Sequence, residues 1–201
     1  MKLVLATRNQ GKVYEIGEIL KNQNGIELLS LRNYPDAPDV VEDGKTYQEN
    51  AIKKASALAE YTGQLTIADD SGLEVDALDG APGVYSARYA GENASDQDRI
   101  LKLLGALQNI PDSRRSGRFT CTVAIAEPLA QVRVVRGICE GRIIRTPRGA
   151  SGFGYDPIFV PLGYAETFAE LGDKIKNQIS HRAKALKKAS KMLSEMISKR
   201  C

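Results

Sequence analysis

The sequence predicts a mixed α/β fold in a single domain over residues 1–201. Short apolar runs alternate with segments whose apolar residues recur at helical spacing, and no internal repeat is evident. A chain of 201 residues lies within the usual range for one domain and can bury a substantial core. Its 42% hydrophobic and 26% charged residues are typical of a folded protein rather than a disordered one.

The first third of the chain predicts strand, helix, helix and strand. An apolar run over residues 3–6 predicts a strand, and a polar loop separates it from a helix with Val13, Ile16, Ile19 and Leu20 at helical spacing. A capping-box pattern over residues 46–49 opens a second helix, which Gly63 ends. The buried side of that helix is predicted to hold Tyr47, Ala51, Ala55, Leu58 and Tyr61. A buried strand over residues 64–68 then runs straight into Asp69 and Asp70.

The remainder predicts a helix, a hairpin, a glycine-rich loop and a C-terminal helix. Residues 95–98 cap the helix that Pro111 closes, and residues 118–127 and 132–140 form the hairpin. Residues 149–157 hold three glycines in a surface loop that can approach a ligand closely, before a short strand over residues 158–160. The C-terminal helix packs a face that includes Leu186 and Leu193.

Charge, cysteine content and hydropathy exclude several classes of protein. The net charge of +3 is too small to argue alone for a nucleic-acid partner, and the basic residues over 174–200 favour a solvated helix face over a funnel for phosphates. Cys121, Cys139 and Cys201 fit neither a disulfide framework nor a zinc site, so packed or free thiols are expected. No stretch has the length of a signal peptide or a membrane span, so a cytoplasmic protein without membrane contact is expected.

The first polar loop is a candidate phosphate site because it lies between a strand and a helix N-terminus. Backbone N–H groups and the helix dipole favour an anion there. The loop consists of Thr7, Arg8, Asn9, Gln10, Gly11 and Lys12. It fails the P-loop pattern, because Ala6 replaces the first glycine and Val13 replaces the Ser or Thr that would hold magnesium. A plain strand-to-helix turn is the alternative interpretation.

Asp69 and Asp70 are candidate magnesium ligands at the carboxyl end of a strand, where open α/β sheets bind ligands. In an extended chain their side chains point to opposite faces, so the two are expected to play different roles. Magnesium takes one or two protein carboxylates plus substrate phosphates, and Glu42 or Glu49 could supply the second. A turn that uses Asp and Gly for backbone reasons is the alternative.

The segment around the only histidine carries three hydrogen-bond donors, Lys176, His181 and Arg182. At a predicted helix start they could hold the oxygens of a base or a phosphate. A surface or capping role for His181 is the alternative.

Six segments, in order, resemble the inosine triphosphatase or Ham1-like family of pyrophosphatases for non-standard purine nucleotides. They lie at residues 7–12, 44–51, 68–73, 80–89, 152–159 and 176–182. The resemblance covers nearly the whole chain. It implies an elongated α/β fold with a central mixed sheet, flanking helices, two lobes with a cleft between them, and a homodimer.

The resemblance also implies an activity and roles for residues. The reaction is hydrolysis of the triphosphates of inosine, deoxyinosine and xanthosine to the monophosphate and pyrophosphate, with Mg²⁺ as cofactor. The loop from Thr7 to Lys12 and Lys53 would hold the triphosphate, and Asp70 would bind magnesium with Glu42 and act as the base toward water. Ser71 would touch the substrate. The base and sugar would be held by Phe153, Gly154, Tyr155, Asp156, Lys176, His181 and Arg182.

Two other functions compete with this interpretation. Maf-like pyrophosphatases resemble the family in fold but have a first loop rich in Ser and Arg, unlike residues 7–12. A nucleic-acid-binding module that uses the basic C-terminal helix predicts salt-sensitive binding without turnover. The first interpretation predicts purine nucleoside triphosphates, rather than nucleic acid, as partners.

Overall fold

A computed structural model describes residues 1–198, and the predicted thiol of Cys201 lies outside them. The mixed α/β class is confirmed, with six strands and five α-helices in the described residues. The strands are β1 (Lys2–Leu5), β2 (Glu27–Ser30), β3 (Leu65–Val75), β4 (Ser116–Ala126), β5 (Arg133–Ile143) and β6 (Phe159–Pro161). The helices are α1 (Gln10–Leu20), α2 (Tyr47–Thr62), α3 (Asp96–Ala106), α4 (Phe168–Ile179) and α5 (His181–Ser198).

The strands form a mixed sheet in the order β2-β1-β3-β4-β5-β6. β1 pairs in parallel with both β2 and β3, in a register that places Leu5 opposite Ser30 and Ile67. β5 and β6 are antiparallel, with Ile143 opposite Phe159. β4 and β5 are neighbours in the sheet, as the hairpin prediction requires.

The chain divides into two compact units, and β3, β4 and β5 each contribute residues to both. Unit 1 comprises residues 1–70, 121–137 and 182–201, of which those up to 198 are described, and unit 2 comprises residues 71–120 and 138–181. In unit 1, Leu3 and Leu5 pack in one apolar cluster with α1 and α5, whereas Val4 and Ala6 pack in another with α2. This alternation is the period of two expected of a strand that is buried on both faces.

Unit 2 has its own apolar cluster, built from β3, β4, α3 and several aromatic side chains. Phe119 contacts Phe159 at a centroid distance of 4.7 Å in an edge arrangement, and Phe159 stacks on Phe168 at 5.4 Å. The three rings belong to this cluster and come from β4, β6 and the first residue of α4.

Three details differ from the sequence prediction. β3 continues to Val75, so Asp69 and Asp70 lie within a strand rather than at its end. Tyr61 is 47% exposed and does not join the buried side of α2, although the other four predicted residues do. Neither β2 nor α4 was predicted, because β2 has four residues and a backbone break at Gly172 interrupts the helical period of α4. Among the described residues, no helix is long and apolar enough to cross a membrane.

Candidate active site

The first loop of unit 1 has the backbone geometry of an anion site. Asn9 is the N-cap of α1, and its side chain accepts a hydrogen bond from the backbone N–H of Lys12 at 3.1 Å. Thr7 Oγ1 accepts from the backbone N–H of Asn9 at 3.2 Å. The N-terminal turn of α1, which contains Gly11, therefore begins where a phosphate is favoured by the helix dipole.

Two longer side chains of that loop contact the segment after β2. Arg8 donates to Asp39 Oδ1 and to the carbonyl of Ala37, each at 2.8 Å. Gln10 Oε1 accepts from Arg32 at 2.8 Å. Arg8 is half exposed, so this ion pair is in water and contributes little stability.

Asp69 is the centre of a buried ion network in unit 1. Lys12 Nζ lies 3.0 Å from Asp69 Oδ2, and Arg182 donates to the same oxygen through Nε at 3.2 Å and Nη2 at 3.1 Å. Arg182 also donates through Nη1 to Glu15. Burial acts to raise the pKa of Asp69, but the charges of Lys12 and Arg182 outweigh it and hold that pKa well below its usual range. Asp69 is therefore ionised throughout the neutral range.

Asp70 has different partners and the opposite pKa shift. Its Oδ2 accepts a hydrogen bond from Asn50 Nδ2 at 2.9 Å. Burial raises the pKa of Asp70, and the negative charge of Glu42 adds to that shift, although Lys54 acts against it. The two aspartates therefore have different surroundings, as the alternation of side chains along a strand predicts.

Lys54 bridges Glu42 and the backbone of Asp69, and the sequence alone did not single it out. Its Nζ donates to Glu42 Oε2 at 2.9 Å and to the backbone carbonyl of Asp69 at 2.7 Å. The sequence did carry a signal, since Asn50 and Lys54 are four residues apart on the face of α2 that buries Ala51. Polar residues on a buried helix face need partners.

Two other candidates from this region lie in more exposed positions. Lys53 is exposed and pairs with Asp43 at 2.7 Å. Glu49 accepts a hydrogen bond from the backbone N–H of Lys45 at 2.7 Å. The proposed roles of Lys53 in triphosphate binding and of Glu49 as a metal ligand stay predictions.

In unit 2 the 149–157 loop is held by Asp156. Its Oδ2 accepts from the backbone N–H of Phe153 at 2.9 Å and forms a buried ion pair with Lys176. Lys176 Nζ lies 4.5 Å from the centroid of the Phe153 ring, which is a cation–π contact. Gly152 has a φ of +79°, and a Cβ at this position would collide with Asp156 Oδ2. The loop thus presents a fixed aromatic ring beside a buried ammonium group.

The other predicted residues of unit 2 lie within this loop, before it or after it in the chain. Tyr155 is buried and donates to the carbonyl of Ser86 at 3.0 Å, and burial raises its pKa. Gly154 has a φ of +63°, and Ser71 follows Asp70 directly in β3. His181 is buried at the start of α5 and stacks on Phe119 at 4.7 Å. Lys176 lies instead in the last turn of α4, so the predicted helix start holds for His181 and Arg182 but not for Lys176.

The structure therefore brings the predicted residues together in two groups. Lys12, Asp69 and Arg182 are in direct contact within unit 1, and Asp70 lies beside Glu42 there. Phe153, Asp156 and Lys176 are in direct contact within unit 2. Arg182 contacts Glu15 and Asp69 in unit 1, although in the sequence it lies in one segment with Lys176 and His181.

Comparison with known sequences decides the family. The sequence model of the Ham1 family matches residues 3–192. This chain belongs to the Ham1 family. A relative from Desulforamulus reducens, named dITP/XTP pyrophosphatase, is 54% identical over 98% of this chain and 97% of its own length. A relative of the same name from Geobacter sulfurreducens is 52% identical over 92% of each chain.

Solved structures of Ham1 family members agree with the fold. A HAM1 protein from Coxiella burnetii matches with a TM-score of 0.88 and 45% identity, over 97% of this chain and 99% of that one. The Ham1 protein of Staphylococcus aureus matches with a TM-score of 0.85 and 41% identity, over 98% and 100% of the two chains. The resemblance found in the sequence and the mixed sheet are both confirmed.

Proposed function

We propose that this Ham1 family member hydrolyses triphosphates of non-standard purine nucleosides, such as inosine, deoxyinosine and xanthosine, to the monophosphate and pyrophosphate. Relatives about half identical to it carry the name dITP/XTP pyrophosphatase. The observation that carries the proposal is the contrast between Asp69 and Asp70. Asp69 holds Lys12 of the phosphate loop and Arg182 of α5, and its neighbour Asp70 is a buried carboxyl with a raised pKa.

Asp70 and Glu42 fit the needs of a magnesium ion. Both are hard oxygen donors, and Glu42 lies close enough for its charge to raise the pKa of Asp70. No group of three or more His, Cys, Asp or Glu side chains in residues 1–198 is arranged as a metal site. Magnesium does not need three such side chains, since one or two carboxylates and the substrate phosphates complete its shell. When bound, magnesium would neutralise charge on the triphosphate.

Each residue near the two aspartates is assigned one part of the hydrolysis. Asp70 accepts a proton from the water that attacks the α-phosphorus, and Asn50 holds its carboxylate in place. Lys12 and Lys54 offset the negative charge that develops on the leaving pyrophosphate. Asp69 positions both cations, Lys12 through its side chain and Lys54 through its backbone carbonyl.

The 149–157 loop, Lys176 and His181 of unit 2 are proposed to bind the base and sugar together with Arg182, which belongs to unit 1. The face of the Phe153 ring suits stacking on a purine, which is flat and uncharged. Lys176, His181 and Arg182 can donate to the keto oxygen that distinguishes inosine and xanthosine from adenosine. Ser71 is proposed to touch the substrate because it follows the catalytic Asp70 in β3.

The proposal extends to the assembly and location of the protein. We expect a homodimer that works in the cytoplasm on purine nucleoside triphosphates and does not bind nucleic acid. Sedimentation at micromolar concentration tests the dimer, and a salt titration with labelled DNA and RNA tests the last point.

The decisive experiment is pyrophosphate release from a panel of nucleoside triphosphates with magnesium. Inosine and xanthosine triphosphates should turn over far faster than adenosine triphosphate, with one pyrophosphate per monophosphate. Absence of turnover together with salt-sensitive binding to DNA or RNA would favour the nucleic-acid-binding alternative. Addition of EDTA should stop the reaction if magnesium is required.

A further inference from the structure

Asp96 occupies the first position of α3, but the helix does not use its side chain as a cap. Ser95 is the N-cap, and Ser95 and Asp98 form a complete capping box. Asp98 accepts from the backbone N–H of Ser95 at 2.9 Å and from its hydroxyl at 2.6 Å. The carboxylate of Asp96 is thus available for another purpose.

One oxygen of Asp96 holds the 149–157 loop. Asp96 Oδ2 accepts a hydrogen bond from the backbone N–H of Gly154 at 2.6 Å, across 58 residues of sequence. A carboxylate that accepts from a backbone N–H makes a charge-assisted bond, which is stronger than a neutral one. The bond ties the loop to the first turn of α3.

The other oxygen of Asp96 is fixed by Arg99. Asp96 Oδ1 accepts from Arg99 Nη2, and Arg99 Nη1 donates to the carbonyls of Ala87 at 2.7 Å and Ala94 at 2.8 Å. The guanidinium therefore anchors Asp96 to the backbone on the N-terminal side of α3. The carboxylate is held from one side while it holds the loop on the other.

Phe153 lies between two such bonds. Its own backbone N–H donates to Asp156 Oδ2 at 2.9 Å, and the next N–H along the chain, that of Gly154, donates to Asp96. These two N–H groups belong to the peptide units on either side of the Phe153 Cα. Fixing both units fixes φ and ψ of Phe153, and the backbone conformation limits which ring rotamers are allowed.

We propose that Asp96 is a positioning residue for purine binding, which it serves by fixing the backbone of Phe153 so that the ring is oriented before the substrate arrives. This inference rests on the proposed function, in which Phe153 stacks on the base. A pre-oriented ring strengthens binding because less freedom is lost when the ligand is bound. Asp96 has no part in the chemistry at the α-phosphorus, so its effect falls on KM rather than on kcat.

The test compares Asp96→Ala, Asp96→Asn and Asp98→Ala in the full-length protein. Asp96→Ala should raise KM for inosine triphosphate about tenfold, which corresponds to about 1.4 kcal/mol, and change kcat less than about twofold. Asp96→Asn retains an oxygen that can accept from Gly154, so it should recover part of the loss. Asp98→Ala weakens the cap of α3 without touching the loop, and its KM should stay at the native value.

Hydrogen exchange provides a readout that does not depend on activity. Peptides covering residues 152–156 should exchange faster in Asp96→Ala than in the native protein, and at the native rate in Asp98→Ala. If the native protein hydrolyses no purine triphosphate, the proposed function fails, while the exchange result still decides whether Asp96 orders the loop. Unchanged exchange and unchanged KM in Asp96→Ala would overturn the inference. An equal rise of KM in Asp98→Ala would do the same, since helix stability would then explain the effect.

Discussion

Units 1 and 2 each bury charged side chains, but they surround them differently. In unit 1 the buried carboxylates of Asp69 and Glu15 share Arg182, and Asp69 also pairs with Lys12. Lys54 donates a hydrogen bond to the backbone carbonyl of Asp69. In unit 2 the buried pair of Asp156 and Lys176 lies among aromatic rings. The buried charges of unit 1 are surrounded by other charges, whereas the single buried pair of unit 2 is surrounded by apolar rings.

This difference matches the two ends of a nucleoside triphosphate. Three phosphates carry several negative charges, so their site needs cations and a carboxylate to hold them in place. A purine base is flat and uncharged, so its site needs a ring to stack on and a few directed donors. Substitutions of Asp70, Lys12 and Lys54 are therefore expected to lower kcat, and substitutions of the residues proposed to bind the base are expected to change KM or the choice of base.

The largest effect is expected at Asp70. Asp70→Asn removes the proton acceptor and weakens a magnesium ligand, so kcat should fall by about 100- to 10,000-fold, the range of general base catalysis. The fold should be unharmed, because a carboxyl with a raised pKa costs stability when it ionises above its unfolded pKa, and an amide removes that cost. Steady-state kinetics and a thermal melt of the same preparation check both statements. Near-native kcat would rule out Asp70 as the base.

Asp69→Asn is the matched control, and it is expected to lower the stability of the fold, which Asp70→Asn should leave unharmed. The lowered pKa of Asp69 means that its charge stabilises the fold above the unfolded pKa, and that this contribution is lost only as the pH falls through the folded pKa. At pH 7 the substitution leaves Lys12 and Arg182 without their shared carboxylate, at a cost of about 3 to 5 kcal/mol. Thermal or urea unfolding should show that loss. Equal melting temperatures for the two variants would contradict the division of roles between the aspartates.

A smaller loss of activity is expected when Lys12 is replaced. Lys12→Ala should lower kcat/KM by about 10- to 150-fold, as expected for a charged hydrogen bond of about 1.5 to 3 kcal/mol. Part of the loss should appear in kcat if Lys12 contacts the leaving pyrophosphate, because that contact strengthens in the transition state. Lys191→Ala is the control, since Lys191 lies exposed on α5 outside the phosphate loop. Equal kinetics for the two variants would remove Lys12 from the site.

Lys53 and Lys54 give a test within one helical turn. Lys54→Ala should lower kcat/KM about tenfold, at the low end of the range for a charged hydrogen bond because Glu42 already shares its charge. Lys53→Ala should have little effect, because Lys53 is exposed and its pair with Asp43 is in water. The resemblance to the family favours Lys53 as the triphosphate ligand, so a larger loss in Lys53→Ala would support that assignment over Lys54.

The sequence predicted those parts of the molecule that depend on local patterns. The strand over residues 3–6 and the helix cap at residues 95–98 lie in short segments, and both are found in the structure. The different surroundings of Asp69 and Asp70 followed from their adjacency alone.

The partners of buried charges could not be predicted in the same way. Arg182 contacts Asp69 and Glu15 across 113 and 167 residues of sequence, and no local pattern encodes such pairs. The extension of β3 beyond Ala68 was missed because Asp69, Asp70 and Gly72 have low strand propensity, and tertiary partners compensate for it. Lys54 was missed for a related reason, since a lysine is assigned to the surface unless its partners are known.

The smallest expected effect concerns the choice of base by Arg182. Its guanidinium has donors only, so it can pair with the keto oxygen of inosine but not with the amino group of adenosine. Three of its N–H groups already donate to Asp69 and Glu15. Only part of its hydrogen-bonding capacity can therefore go to the base. We expect Arg182→Lys, which keeps a cation between the two carboxylates, to reduce the ratio of kcat/KM for inosine over adenosine triphosphate by less than about tenfold. Guanosine triphosphate also has the keto oxygen, so the ratio of kcat/KM for inosine over guanosine triphosphate should not change. The ratio should be measured beside a thermal melt, because loss of the guanidinium fork also weakens the buried network. A lower melting temperature with an unchanged ratio would show that Arg182 supports Asp69 and does not read the base.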